Sequence, residues 1–297
     1  MEAGTLTRSR APRAGLRLPG LGVGSGYGVV VLYLSLIVLL PLAAVGSEAF
    51  AGGLGTFWDQ VTSPLAVKSL KLTVVCSLIV VVINAIFGTI LAWLLVRDDF
   101  PGKGAVNAVI DLPFALPTIV ASLTLLTLYG NDSPLGIHLA ATRAAVVVAL
   151  MFVTLPFVVR AVQPLLLEMD REMEAAAASL GAGSFTIFRR IIFPNLLPGL
   201  AAGVALAFAR ALGEFGSVLL FAGGLPDTTV TSVFIRNQVE SGNDVGASAV
   251  SVVLLVASLL LLGCVSLIQR WAIRHDRSSS EFIPTLAKDV GGDGGGA

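Results

Sequence analysis

Glu174–Pro198 reads E-A-A-A-A-S-L-G-A-G-S-F-T-I-F-R-R-I-I-F-P-N-L-L-P, a polar, helix-forming insert between two long apolar runs. Ala175 to Ala178 are the strongest helix formers available. Gly181 and Gly183 then predict a break, because glycine adopts backbone angles that other residues avoid. Ser184 has the chemistry to cap a new helix, in which Phe185, Phe188 and Ile192 recur at helical spacing beside Arg189 and Arg190. Pro194 and Pro198 are expected to close the segment. The pattern predicts a short helix-turn-helix at a membrane surface, with one apolar and one basic side. Taken alone, it equally describes an interfacial helix that merely joins two membrane spans.

The flanking sequence decides that a membrane is involved. Of 297 residues, 55% are hydrophobic and 13% charged, and mean hydropathy is +0.89. A water-soluble domain needs a far more polar surface. Several runs approach the ~20 apolar residues a spanning helix requires. They are continuous rather than alternating, which excludes a membrane β-barrel. The fold class is therefore all-α and integral to a lipid membrane, with six transmembrane helices. Cys76 and Cys264 lie inside apolar runs and read as small hydrophobes without a disulfide. His138 and His275 stand apart, so no metal site, cofactor or catalytic cluster is expected.

In chain order, residues 1–25 form a basic arm with Arg8, Arg10, Arg13 and Arg17, expected to be disordered and cytoplasmic. Residues 26–46 form the first span. A cleaved leader is the rival reading, but the apolar run exceeds the ~7–15 residues of such a segment. Residues 47–67 read as an exposed connection. The core, residues 66–272, holds spans near Leu70–Val96, Val106–Leu128, Ala144–Val162, Leu196–Phe221 and Val245–Ile268. The third contains Asp111, Pro113 and Pro117, and proline loosens a helix's hydrogen-bond ladder. Residues 273–297 form a charged, then glycine-rich tail. Six spans put both termini and the 174–198 loop on one side. That side carries fourteen of the nineteen Lys and Arg residues, and the excess makes it cytoplasmic. Lys68, Lys71, Arg143 and Arg236 fall on the other side.

The alanines, Leu180-Gly181-Ala182, Ile191 and Pro194 at their spacing resemble the cytoplasmic loop of ABC importer permeases with the type I fold. The resemblance implies a coupling helix that docks on an ATPase subunit through Glu174, Ala176, Ala177, Gly181, Ala182 and Phe185. One position departs from the family pattern. The family's glutamate lies six residues before the glycine, where this chain has Ala175. Glu174, one residue earlier, points about 100° around the helix from there.

The fifth span carries charges that an apolar medium penalises. Arg210 and Glu214 sit in Ala209-Arg210-Ala211-Leu212-Gly213-Glu214-Phe215-Gly216-Ser217, and each charge at mid-bilayer costs at least ~2.5–3.5 kcal/mol. Four residues apart, they share a helical face and are placed to pair. Gly213 and Gly216 leave room for another helix or a substrate. The pair is either a pin between helices or the lining of a transport path, with Arg210, Glu214 and Ser217 as pathway residues. Asp111 is expected to pair with an arginine or to cap its helix. Asn84 is expected to bond between helices.

Arg210-Ala-Leu-Gly-Glu-Phe-Gly-Ser and Leu112-Pro-Phe-Ala-Leu-Pro-Thr-Ile-Val resemble permeases for tetrahedral oxyanions. Thr228-Thr-Val-Thr-Ser232 and Ala247-Ser-Ala-Val-Ser-Val resemble the T-subunit branch of the sulfate/thiosulfate permeases. The resemblance spans about residues 27–272. It implies import of sulfate, and of thiosulfate, by alternating access across the cytoplasmic membrane. The implied partners are a second sulfate permease subunit, an ABC ATPase dimer and an external sulfate-binding protein, with no nucleic acid. A molybdate or tungstate permease is the near alternative. A stand-alone secondary anion transporter would not need the docking loop and usually shows repeats, which are not evident. The chain has no G-x-x-x-x-G-K-[ST] loop, so ATP hydrolysis falls to partner subunits.

Overall fold

The structure, a computed structural model, describes residues 23–280; the expectations for the rest of the arm and for the end of the tail fall outside the described residues. Among the described residues every regular element is helical. Two units are distinguished, Met1–Val45 and Gly46–Ala297. The first contains α1 (Val23–Leu34), a π turn (Ser35–Leu39) and most of α2 (Leu40–Ala49), and a single apolar span runs through them over Tyr27–Ala49.

The second unit follows as α3 (Gly53–Val61), α4 (Pro64–Arg97), α5 (Lys103–Ala115), α6 (Thr118–Tyr129), α7 (Arg143–Glu168), α8 (Arg171–Ser179), α9 (Ser184–Ile187), α10 (Phe193–Leu212), α11 (Gly216–Leu219), α12 (Thr231–Glu240) and α13 (Asp244–Ser280). Five helical stretches among the described residues are long and apolar enough to cross a membrane, or six where the bent pair α5–α6 counts as one span.

The central packing is α4 beside α7, running parallel. Asn84 Nδ2 donates to Thr154 Oγ1 at 2.9 Å and to the Met151 carbonyl at 3.4 Å. This is the helix-to-helix role expected of Asn84; such bonds contribute on average ~0.6 kcal/mol in a membrane. One turn along, Gly88 lets α4 approach closely: a Cβ there would lie 2.9 Å from a Val158 methyl. Helix α10 returns antiparallel across α7. A Cβ at Gly199 would lie 2.8 Å from the Ala161 carbonyl, and one at Gly203 would lie 2.8 Å from Ala161 Cβ and 3.0 Å from Val158 Cα. The Gly199-x-x-x-Gly203 spacing thus builds the close α7–α10 contact, as small residues do where lipid supplies no hydrophobic drive.

Four expectations are corrected. The third span is not one helix: α5 and α6 meet at 119°. Leu116 is extended (φ −83°, ψ 133°), as a residue before proline prefers, and Pro117 starts α6. Residues 47–67 are not merely an exposed connection. Helix α3 buries Phe57 and Val61 against Ala49 and Ala249. Pro194 and Pro198 do not close the loop segment, because helix runs on from Ser184 to Leu212. A five-residue π turn, Phe188–Ile192, precedes α10, and its wider winding lies over the carbonyl of residue 190, which the Pro194 ring would otherwise strike. The fifth helix ends at Leu212, with Gly213 as its C-cap, well before Phe221.

Gly203→Leu is expected to overpack the α7–α10 contact and cost about 1–3 kcal/mol. Thermal unfolding of the detergent-solubilised protein should show a lowered midpoint. Gly213→Ala, whose Cβ would meet nothing nearer than 4.0 Å, should leave that midpoint unchanged.

Candidate functional site: the loop and the intramembrane ion pair

Helix α8 begins where Asp170 accepts a hydrogen bond from the Glu172 amide at 2.8 Å, an N-cap reinforced by Glu172 and Glu174 in the first turn. It ends in a Schellman cap. The Gly181 amide donates to the Ala178 carbonyl at 3.0 Å and the Ala182 amide to the Ala177 carbonyl at 3.1 Å. Gly181 takes φ +85°, the left-handed angle that this cap requires and glycine supplies without penalty. Gly183, not Ser184, occupies the N-cap position of α9, and no side chain caps that end.

The turn between the two helices thrusts apolar groups into the surroundings. Leu180 is 88% and Phe185 75% exposed. Ala176 and Gly181 are exposed beside them, and Ala177 and Ala182 are half-buried. Glu174 faces the other way. Its carboxylate forms an ion pair with Arg97 at the end of α4, whose side chain is 9% exposed against 22% for Glu174. The Arg97 guanidinium lies over the Trp93 ring at 5.3 Å, and Trp93 meets Phe188 edge to face at 6.1 Å between centroids. Helix α8 and the segment entering α10 are therefore both fastened to the last turn of α4.

Beside this latch, Arg160 of α7 binds both oxygens of Asp111 on α5, at 2.8 Å from Nε and 2.5 Å from Nη2. It also donates to Asn107 Oδ1 at 3.1 Å and Gln163 Oε1 at 2.5 Å. Asp111 is thus the arginine partner expected of it. Arg97 and Arg160 as anchors were not anticipated. The only signals for Arg97 are an arginine closing an apolar run and a tryptophan one turn before it.

At the other end of α10, Arg210 and Glu214 form an ion pair. They do so across the helix end and not along one helical face, since Gly213 has already broken the helix. The contact is ionic without hydrogen-bond alignment at Oε2. Glu214 is 2% exposed. Its Oε1 accepts from the Ser217 amide at 2.9 Å, and its carbonyl accepts from Ser232 Oγ on α12 at 2.5 Å. The Arg210 side chain keeps 34% of its surface. Ser217 is buried, and its hydroxyl has no hydrogen-bond partner among the described residues. Gly216 is closed to ligand: a Cβ would lie 2.9 Å from Thr118 Cβ and 3.0 Å from the Ile119 amide. Gly213 is exposed. Thr228 and Thr231, within the oxyanion-permease fragment, are buried and structural. Thr228 Oγ1 donates to the Ala222 carbonyl at 2.6 Å, and the Thr231 amide donates to Thr73 Oγ1 of α4 at 2.8 Å. Cys76 is buried, Cys264 is exposed, and both are free thiols. No cluster of metal-ligating side chains occurs among the described residues.

A broken third span, a helix-turn-helix between the fourth and fifth spans and a charged break at the end of α10 define a transporter permease. The chain belongs to the family of binding-protein-dependent transport system inner membrane components, which matches residues 84–275. The sulfate transport system permease protein CysT of Synechocystis is 43% identical over 255 residues, covering 83% of this chain and 89% of that protein. The Salmonella typhimurium protein of the same name is 41% identical, over 85% of this chain and 93% of its own length. Among solved structures, a bacterial alginate ABC transporter superposes with a TM-score of 0.71 at 15% identity, covering 84% of this chain and 93% of its own. The MetNI methionine ABC transporter superposes at 0.56 and 21% identity, covering 70% and 96%. These likenesses carry the fold. The chain is accordingly a multi-pass membrane permease of the ABC importer class, a transport component.

Glu174→Ala removes the counter-charge of a guanidinium that is nine-tenths buried. The expected cost is about 2–3 kcal/mol, below the usual cost of breaking a fully buried pair because Glu174 retains some solvent. Limited proteolysis should then cut at residues 171–184 faster than in the parent. Glu174→Leu combined with Arg97→Met, which removes both charges, should restore protection. Unchanged cleavage in Glu174→Ala would show that the ion pair does not hold the loop.

Proposed function

We propose that this chain is the permease subunit of an ATP-driven importer of sulfate, with thiosulfate as a second substrate. The observation that carries the reading is the identity of 43% with a sulfate permease across more than four-fifths of the chain. We assign a related second permease subunit, a pair of ATPase subunits and an external sulfate-binding protein as its partners. The loop end of the bundle is taken as cytoplasmic, on the strength of the Lys and Arg excess on that side.

The geometry suits such a machine. Leu180 and Phe185 at the tip are the apolar groups an ATPase cleft would cover, with Ala176, Ala177, Gly181 and Ala182 providing a low, close-fitting surface around them. Glu174, in this reading, acts as a positioning residue. It holds the loop on Arg97, so displacement of the tip reaches α4 without slack. The second connection is covalent. Helix is continuous over the 29 residues from Ser184 to Leu212, roughly 40 Å at 1.5 Å per residue. A push at Phe185 is therefore delivered to the Arg210–Glu214 break.

Arg210 is assigned to the sulfate path. In a low-dielectric passage a fixed cation lowers the barrier for a dianion, and a guanidinium donates paired hydrogen bonds to two oxygens. Transport also needs release, and a bare cation would hold the anion too long. Glu214 moderates the hold and anchors the arginine. Ser217, with its uncommitted hydroxyl, is the third pathway residue.

Labelled sulfate uptake should disappear in a strain lacking this chain and return with the gene, and excess thiosulfate should compete more strongly than molybdate. Arg210→Ala should reduce both uptake and membrane abundance, because Glu214 is left buried without its partner. Arg210→Ala with Glu214→Ala should recover abundance without recovering uptake. Full recovery of uptake in the double variant would reduce the pair to a structural pin.

A further inference from the structure

At the end of the bundle opposite the loop, α4 and α7 enclose the mouth of a cavity of about 410 Å³. Lys68, Lys71 and Arg143 line it, with Asp227 from the segment between α11 and α12, over an apolar floor that includes Leu72 and Cys76. These are three of the four cations that the sequence places on that side, and the fourth, Arg236, pairs with Glu240 at 2.5 Å. Lys68 Nζ lies 2.5 Å from Asp227 Oδ1. Arg143 lies 3.7 Å from the same oxygen and donates from Nε to the Asp227 carbonyl at 3.4 Å. Hydrogen bonding to Lys68, then its charge, holds the Asp227 carboxyl below the usual carboxylate range, so it stays ionised at neutral pH. Lys71 forms no ion pair among the described residues. Three cations and one carboxylate leave the cavity with a charge of +2.

We infer that this cavity is an anion-receiving vestibule, where a small divalent oxyanion released by the external binding protein is received before it passes into the membrane. The inference rests on the importer reading above, which makes this mouth the outer one. The cavity is several times larger than a tetrahedral oxyanion and accepts one with part of its water. The charged groups stand at a water-exposed mouth, with Lys68 44% and Arg143 66% exposed, and the focusing of a net positive cleft raises local anion concentration by ~10–10³ at low salt. Asp227 has the same part here that Glu214 has below. It fixes Lys68 and Arg143 in place and limits how tightly the anion is held. Lys71, exposed and uncommitted, is free to follow the anion inward. Its position in the second turn of α4 puts it on the same helix that Arg97 ties to the coupling loop.

The same chemistry would suit a lipid phosphate or a carboxylate of a docking protein, so the test separates the three. The complete transporter, with its ATPase subunits and external binding protein, is reconstituted in phosphatidylcholine vesicles, with and without phosphatidylglycerol. Initial uptake of labelled sulfate and ATP hydrolysis are followed together for the parent, Lys71→Gln and Lys71→Arg. At an ionic strength of about 0.01 M, where charges act over ~30 Å, Lys71→Gln should reduce uptake roughly tenfold, the low end of the focusing range. ATP hydrolysis stimulated by the binding protein should persist. Lys71→Arg should restore uptake, and at about 0.15 M, with a reach of ~8 Å, the gap should narrow. Equal uptake in Lys71→Gln and the parent would overturn the vestibule. Loss of stimulated ATP hydrolysis together with uptake would assign Lys71 to protein docking instead. A defect confined to vesicles containing phosphatidylglycerol would assign it to lipid. A parent complex that imports no sulfate would instead refute the importer reading on which this inference stands.

Discussion

A carboxylate kept at 2% exposure inside an apolar bundle must have its partners supplied by the chain. Glu214 is the constraint around which the second half of this molecule is arranged. Arg210 answers its charge from the last turn of α10, the Ser217 amide answers one oxygen from the start of α11, and Ser232 binds its carbonyl from α12. The Ser217 contact requires the helix to stop at Gly213, because an unbroken helix would carry the Ser217 amide into its own ladder. The break is a consequence of satisfying a charge where water does not reach.

Ion pairs with more access to water recur at each end of the bundle. Arg97 with Glu174 closes the loop end, Arg160 with Asp111 ties α7 to the first half of the broken span, and Lys68 with Arg143 gathers around Asp227 at the far end. Between these charged anchors the helices touch through small residues: Gly88 against Val158, Gly199 and Gly203 against Ala161 and Val158. Lipid offers no hydrophobic reward for bringing helices together, so specificity comes from close backbone approach and from paired polar groups.

The exposed apolar tip at Leu180 and Phe185 is linked to the rest of the bundle in two ways: by an ion pair to α4, and by an unbroken helix into α10. The π turn at Phe188–Ile192 lets that helix pass Pro194 without ending. Under the coupling role proposed above, a displacement of the tip would travel along this helix to the Arg210–Glu214 break.

The spans, the polar loop between the fourth and fifth, the Arg210–Glu214 pair and the interhelical role of Asn84 were all legible in the sequence. Hydropathy is a local property, a four-residue spacing brings side chains together whether or not the helix continues, and a lone amide in an apolar run has few alternatives to a partner helix. What lay beyond the sequence depended on neighbours distant along the chain. Proline in a membrane span signals a loosened ladder but not how far the chain turns, and the 119° at Pro117 is set by the packing of Thr118 under Gly216 and of Ser122 under the amides of Leu220 and Phe221. Pro194 and Pro198 resemble stops until a π turn accommodates the first and the α7 contact holds the helix past the second. Glu174 reads as a surface group one step from its expected place, and it finds Arg97 only because α4 and α7 run parallel and end together. Lys68, Lys71, Arg143 and Asp227 are scattered over 160 positions and become one charged cavity only when two helix ends and the segment between α11 and α12 meet. Charge type, apolar runs and short spacings are written in the chain itself; which charges share a site is decided by the packing, because burial leaves an ionised group stable only beside whichever partner the fold delivers.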